Sequence, residues 1–434
     1  MAQSPDVSAT DPGSSQHRIV RRRTLLKAGL AAGSVPLAMP FIGNAEAAEP
    51  LKIGVLLPKA GSYDVQGENG HNGAEVAVAN AGGHVNGRPL QLVWLDESTP
   101  QATEQNARKL IEEDKVVALQ GGVSSGDVLA AMPVTERAKK LFIATGPNAT
   151  QITGKDCERY TFRVDLPNHV TVRTIYPYLS KYGKNWYFLS ASYAWGIDAW
   201  HQMKAVLLAH GGKVVGEAQA PLGTTDFSSY ILKIRAAKPD VVFLGEGGSD
   251  LTNFLKQFHA VGMTGKIPIS APIVNDSDFW AAGPEVSAGI YPKLWNYTGQ
   301  YLTESGKTFV KDYAAKFGMP PEVEGWQDWF GCTAIIAALR ETKSTDSAKL
   351  VTFLENHKFN GYKDMPIWFR SWDHQLIQPI LAVEIRKNLA EEIKKKIVGK
   401  YDYFEILGQA PKQESELDAF YGTQAESACH MPAL

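Results

Sequence analysis

VVALQGGVSSGDVLAAMPVTERAKKLFIATG, residues 116–146, is the stretch that decides the fold. Val116–Leu119 is a short apolar run, Ser125–Lys139 has helical spacing, and Leu141–Ala144 is a second apolar run. A strand, one helix and a strand make a βαβ unit, whose two strands lie parallel in one sheet. The joint between the first strand and the helix is Gly121-Gly122-Val123-Ser124-Ser125-Gly126. Small residues let a ligand approach the helix start, where free backbone N–H groups and the macrodipole favour an anion. Ser124 and Ser125 add hydroxyl donors. Two other readings stand beside this one. Ser124 can serve as a plain N-cap, and Gly122–Gly126 fits G-x-S-x-G, the nucleophile elbow of serine hydrolases. The hydrolase reading needs an acid and a histidine on later strand ends. Asp373-His374 is the one tempting pair, but adjacent residues on a strand point to opposite faces.

The same alternation extends in both directions. Before the unit come a strand at Leu51–Pro58, a helix at Asn69–Ala81, a strand at Pro89–Leu95 and a helix at Gln101–Lys115 capped by Ser98 or Thr99. Gly67, Gly70 and Gly73 have the wrong spacing for a dinucleotide loop and read as a turn feeding the first helix. After a transition near Val164–Val170 the pattern restarts. Trp186–Ser190, Lys213–Ala218, Val241–Leu244 and Ile267–Ser270 read as strands, with helices at Ile197–Ala209, Phe227–Ala237 and Leu251–Val261 between them. Two α/β lobes with parallel sheets follow, with a cleft between their sheet edges. Further on, Lys307–Phe317, Trp326–Thr342 and Ala348–Asn356 read as helices, and Pro366–Arg370 and Gln378–Ile385 as strands. The tail from Ala410 is polar and reads as irregular, and the charge run Glu391–Lys396 reads as a solvated face.

Arg22-Arg23-Thr24-Leu25-Leu26-Lys27 opens a modest apolar run that closes on Ala45-Glu46-Ala47. A charged start, a short apolar stretch and a small-residue cut site define a secretory signal. The paired arginines are of the twin-arginine type. Gly33, Pro36 and Pro40 break the run, which is too short for a span of about 20 apolar residues. The protein is therefore expected in the periplasm, cleaved near Ala47. Its formal net charge is −2, with 21% charged residues, and removing the basic leader makes the rest slightly more acidic. That balance argues against nucleic acid as a partner. Cys332 lies in an apolar run and reads as a buried thiol, whereas Cys157 and Cys429 flank polar segments and can pair across an oxidising compartment. No histidine or cysteine spacing fits a metal site, and no cofactor is expected.

Other candidates lie where strands end, since ligands of open α/β sheets bind there. Gly146 and Asn148 follow the strand Leu141–Ala144 and can converge with Ser124 on one carboxylate. Tyr193 and Trp195 follow Trp186–Ser190 and precede Gly196. Glu246 follows Val241–Leu244.

With these residues in order, the chain resembles type I periplasmic solute-binding proteins of ABC importers, in the Leu/Ile/Val-binding branch. The likeness is carried by Ile53-Gly54-Val55 with Gly61-Ser62, Gly67 through Ala74, Gly121–Ser125, Ile143–Gly146, Tyr160–Arg163, Tyr193–Gly196, Asp226–Ser228 and Lys238–Val242. The resemblance implies two Rossmann-like lobes joined by a multi-strand hinge. It divides the chain into a leader (1–47), lobe one (48–168 and 300–358), lobe two (169–299 and 359–400) and a tail (401–434). It implies that Ser124 and the Gly146–Asn148 loop hold a ligand carboxylate, that Gln66 and Trp195 line the pocket, and that Gly247 stands where the family often has tyrosine. The acidic residue that amino-acid binders place on the ligand ammonium aligns with Ala271-Pro272-Ile273, although Asp276 and Asp278 follow closely. A buried ammonium without a carboxylate is costly, which favours an aromatic or branched aliphatic acid unless Glu246 takes the ammonium over. The expected function is a monomeric receptor, not an enzyme, that captures a small carboxylate-bearing solute by hinge closure and serves an ABC permease. The alternatives are an exported serine hydrolase acting through Ser124, or a sensor of the same fold that binds a small amide.

Overall fold

The computed structural model describes residues 48–432, so the expected signal peptide lies outside the described residues. Five parallel strands form the first sheet, with His84–Val85 paired antiparallel at its edge. The order is His84–Val85, Arg88–Leu95, Leu51–Leu56, Ala118–Gly121, Phe142–Ala144, Thr161–Arg163. Ile53 stands beside Leu92 on one side and Ala118 on the other. The chain winds outward from Leu51–Leu56 in one direction and then in the other. A crevice therefore opens between the carboxyl ends of Leu51–Leu56 and Ala118–Gly121.

The second sheet is parallel throughout, in the order Ile269–Ser270, Val241–Gly245, Asn185–Ala191, Lys213–Ala220. Every residue of Val241–Gly245 is buried, which suits a strand covered by helices on both faces. Its crevice lies between the ends of Asn185–Ala191 and Val241–Gly245. Two antiparallel sheets complete the molecule: Ile290–Lys293, Ile380–Ile385 and Phe404–Ala410, and Lys358–Phe359, Ile367–Phe369 and Leu376–Ile377.

Several expectations need correction. The glycine-spaced segment belongs inside a helix, Asp64–Asn80, which starts at the end of the first loop. Gly73 faces Gly325 of the buried helix Val323–Thr342, and a Cβ there would overlap the Gly325 carbonyl. Gly70 and Gly73 set a close crossing with that helix, Gly67 packs on the Pro58 carbonyl, and none of the three forms a turn. Residues 359–377, expected in the second lobe, pack on the first: Phe162 meets Phe369 edge-on at 5.1 Å, and Arg163 bridges to Gln375. The tail is ordered into the strand Phe404–Ala410 and the helix Glu414–Phe420. Its end is joined to the first lobe by a disulfide between Cys157 and Cys429, while Cys332 is a free, buried thiol. Glu391 to Lys394 lie in a short helix, Leu389–Lys394. Among the described residues no helix is long and apolar enough to cross a membrane.

Candidate binding site

Each crevice contributes loops to one interlobe site. From the first sheet come Tyr63, Val123, Gly146, Asn148 and Asp165, and from the second Tyr193, Trp195, Gly247, Ile273 and Asp278. Glu324 joins them from the start of the helix Val323–Thr342. Together they enclose a cavity of about 30 Å³, room for little more than a water or two. The lobes are closed on each other around it. The Tyr63 and Tyr193 hydroxyls are hydrogen-bonded across the gap. Ser62 donates its hydroxyl to Asp250 Oδ1 at 3.0 Å, and its carbonyl accepts the Ser249 N–H at 2.9 Å. Gln66 Nε2 donates to Asp278 Oδ1 at 2.6 Å. A groove of about 210 Å³ adjoins the cavity at Tyr63, lined also by Ser62, Glu97, Ser124, Asp127 and Gly223, and two wider ones of about 570 and 640 Å³ lie elsewhere, beside Arg370 and Trp372 and beside Glu384–Glu391. Neither of the two widest is at the paired strand ends where α/β sheets bind ligands.

Of the sequence-derived candidates, Gly146, Asn148, Tyr193, Trp195 and Gly247 line the cavity. Gln66 stands behind Asp278. Glu246 is fully buried next to Gly247, and neither of its carboxyl oxygens has a hydrogen-bond partner. Ser124 and Ser125 are placed differently from expectation. Both serines are buried, and the N–H groups meant for a ligand carboxylate already have partners. Val123 N–H reaches Glu97 Oε2 at 2.8 Å, and Ser124 N–H reaches Glu97 Oε1 at 2.9 Å. Ser125 Oγ accepts the N–H groups of Asn148 at 3.2 Å and Ala149 at 3.1 Å. Asn148 turns its side chain away, donating to the Leu166 carbonyl at 2.9 Å. Ser124 does not cap its helix through its side chain; its hydroxyl meets Asp127. Nothing supports the hydrolase reading, because Asp373 pairs with Arg370 and His374 Nε2 lies 3.1 Å from Glu355.

Tyr63, Glu97, Asp165 and Glu324 were not legible as site residues. Only a strand-end position marked Glu97 and Asp165. The site is rich in buried carboxyl groups, and burial favours their neutral forms. Burial raises Asp165 to about 7 and Glu246, with Asp250 adding to it, to about 9. Burial and then the neighbouring Glu322 hold Asp278 well above its ordinary value. Burial and then Asp328 do the same to Glu324. Nearby cations are spent elsewhere. Lys293 Nζ is 2.9 Å from Asp276 Oδ2, Arg163 binds Gln375 and the Ala149 carbonyl, and Lys363 binds the Leu294 carbonyl. The site can therefore offer a ligand several acceptors and aromatic faces, which suit an N–H-rich or cationic group, and one unpartnered donor, the Trp195 indole N–H. Among the described residues no cluster of three or more histidine, cysteine or carboxylate side chains is arranged to hold a metal ion.

The periplasmic binding protein family profile matches residues 50–390. A Leu/Ile/Val-binding protein homolog 4 of Brucella melitensis is 25% identical over 387 residues, covering 83% of this chain and 90% of the relative. A solved periplasmic binding protein from Burkholderia mallei superposes with a TM-score of 0.78 at 26% identity, over 88% of this chain and 98% of that one. A solute-binding protein of an ABC transporter from Rhodopseudomonas palustris, solved with 3,4-dihydroxybenzoic acid, shares the fold with a TM-score of 0.74 at 23% identity, over 83% of this chain and 97% of that one. The paired parallel sheets, the site at their facing strand ends and these likenesses agree: the chain belongs to the periplasmic binding protein family, with the type I fold, and is similar to Leu/Ile/Val-binding protein homologues.

Proposed function

We propose that this protein is the receptor of an importer whose solute enters the interlobe cleft with an ammonium or amide end leading. The observation that carries this reading is the set of three buried carboxyls, Asp165, Asp278 and Glu324, around one cavity without a cation among its lining residues. Tyr63, Tyr193 and Trp195 wall the solute's body. Closure is a population shift, in which the solute stabilises the form where both lobes contact it.

The charge on the solute also bears on closure. A buried acid with a raised pKa stabilises the folded, closed form below its ordinary value, and that contribution is lost as pH rises through the raised one. For Asp165 the window runs from the usual aspartate range to about 7. Near neutral pH the empty closed form thus loses protons it needs, and an arriving ammonium replaces them.

A thermal-shift panel of amines, amides, amino acids and benzoates tests the reading. Solutes with an amine or amide end should raise the melting temperature, by mass action worth about 2.7 kcal/mol at a hundredfold excess over Kd. A shift from benzoates alone overturns it. The receptor would pass its solute to an ABC permease, and the family places its work in the periplasm. The leader supports export by the twin-arginine route. Replacing Arg22 and Arg23 with lysine is then expected to strand the protein in the cytoplasm, as fractionation shows, whereas unchanged export would point to the general secretory route.

A further inference from the structure

We propose that Glu97 is a specificity residue: its carboxylate occupies the place of a ligand carboxylate, so the receptor selects small organic cations over amino acids. This rests on the functional reading above and narrows it. Glu97 follows the strand Arg88–Leu95 and is 2% exposed. Its Oε2 accepts Val123 N–H at 2.8 Å, and its Oε1 accepts the same N–H at 3.2 Å and Ser124 N–H at 2.9 Å. This forked arrangement is how a free carboxylate would sit on a helix start. Val123 also lines the cleft cavity. A solute in the cleft therefore meets these N–H groups already given to a carboxyl group.

The second loop that could hold an anion is closed in the same way. Asn148 and Ala149 give their N–H groups to Ser125 Oγ. Apart from the Trp195 indole N–H, what the cleft leaves open is on the acceptor side. Glu324 is 2% exposed and has Oε1 without a partner. That oxygen faces Gly146, where a Cβ would come within 2.5 Å of it. Glu246, next to the lining residue Gly247 but not itself lining the cavity, has both oxygens unpartnered. A zwitterion would bring a second carboxylate beside Glu97, Asp165 and Glu324, with the Trp195 indole N–H as the unpartnered donor to receive it. A monocation of the same body brings only the group the cleft can hold.

The cleanest probe pair is leucine and 3-methylbutylammonium, which is leucine with hydrogen in place of its carboxylate. Calorimetric titration of the processed protein should show the amine binding at least about tenfold more tightly. Glu97→Ala frees the two N–H groups and should erase or reverse that ratio. Glu97→Gln keeps an oxygen on them and should hold the preference nearer to wild type. Melting curves check that each variant is folded, and the wild-type ratio decides the matter if neither is. Leucine binding as well as the amine, or a ratio unmoved by Glu97→Ala in a folded protein, overturns the role of Glu97 while leaving the amine-end reading intact. Failure of both probes in wild type overturns both readings.

Discussion

Lys293→Met is expected to lower the stability of the folded chain by about 3–5 kcal/mol. Lys293 ends the strand Ile290–Lys293, and Asp276 begins the helix Asp276–Ala282. Their side chains are 0% and 1% exposed and 2.9 Å apart. Lys293 Nζ also donates to the Trp295 carbonyl at 3.0 Å and to Asn296 Oδ1 at 2.8 Å. Methionine matches the length of the lysine stem but leaves Asp276 without its cation, beside Glu322. Burial already raises Asp276, and Lys293 is the main influence pulling it back. Without the lysine that carboxyl is driven further toward its neutral form. The sign of the pH effect follows. An acid with a raised folded pKa stabilises the fold at low pH and loses that contribution as pH rises, so the variant's deficit should grow from pH 5 to pH 8. The partner change Asp276→Asn in the same chain should recover much of the loss, because it removes the unpaired charge. Urea melts of both single variants and the double variant measure the coupling. A Lys293→Met deficit under about 1 kcal/mol, typical of exposed pairs, would show that water reaches this pair.

The effect bears on function because the same helix carries Ser277 and Asp278. Ser277 N–H reaches Glu322 at 2.8 Å, and Asp278 holds Gln66 from the other lobe. These residues also show where sequence reading stops. Most strands of the two sheets were legible because they are apolar-rich and joined by single helices, which implies a parallel topology; Thr161–Arg163, reached through the 3-10 turn Thr150–Thr153, and the edge pair His84–Val85 were not read. The strand ends were legible for the same reason, and with them Gly146, Asn148, Tyr193, Trp195 and Gly247. The helix Asn168–Leu179 was missed, since Val170, Thr171, Val172 and Ile175 are β-branched and Pro177 breaks the pattern. Asp165 and Glu324 were missed for a different reason, while Asp278 was read only as a neighbour of the aligned ammonium position. A carboxylate in a sequence reads as solvent-facing. Only the meeting of Asp165, Asp278 and Glu324, drawn from three distant segments, shows that they are buried together. Glu97 went unnoticed because the helix start at Ser124 was read as awaiting an anion, when the chain supplies its own.

Gly248→Ala is expected to weaken solute binding by about 100-fold or more, equivalent to some 2.7 kcal/mol, while each lobe keeps its fold. Gly248 begins the helix Gly248–Ala260 with φ +60, a conformation that costs an L-residue about 1–2 kcal/mol. That cost falls on the second lobe in any state. The larger penalty belongs to closure alone. In the closed form a Cβ at this position would overlap the Ser62 carbonyl and lie 2.9 Å from the Tyr63 ring, both on the other lobe. The same approach makes the Ser249 N–H bond to Ser62 and seats Tyr63 against Tyr193. Backbone cannot yield as a side chain would, so the methyl holds the lobes apart, and overpacking of this kind costs about 1–3 kcal/mol or more. Wild-type protein should contract in small-angle scattering when it meets the amine or amide that stabilises it most, and the variant should not. The split between the two measurements identifies the cause. A melting temperature close to wild type with lost contraction marks a receptor that folds but cannot close, whereas wild-type affinity and contraction would mean that Ser62 and Gly248 need not meet for binding.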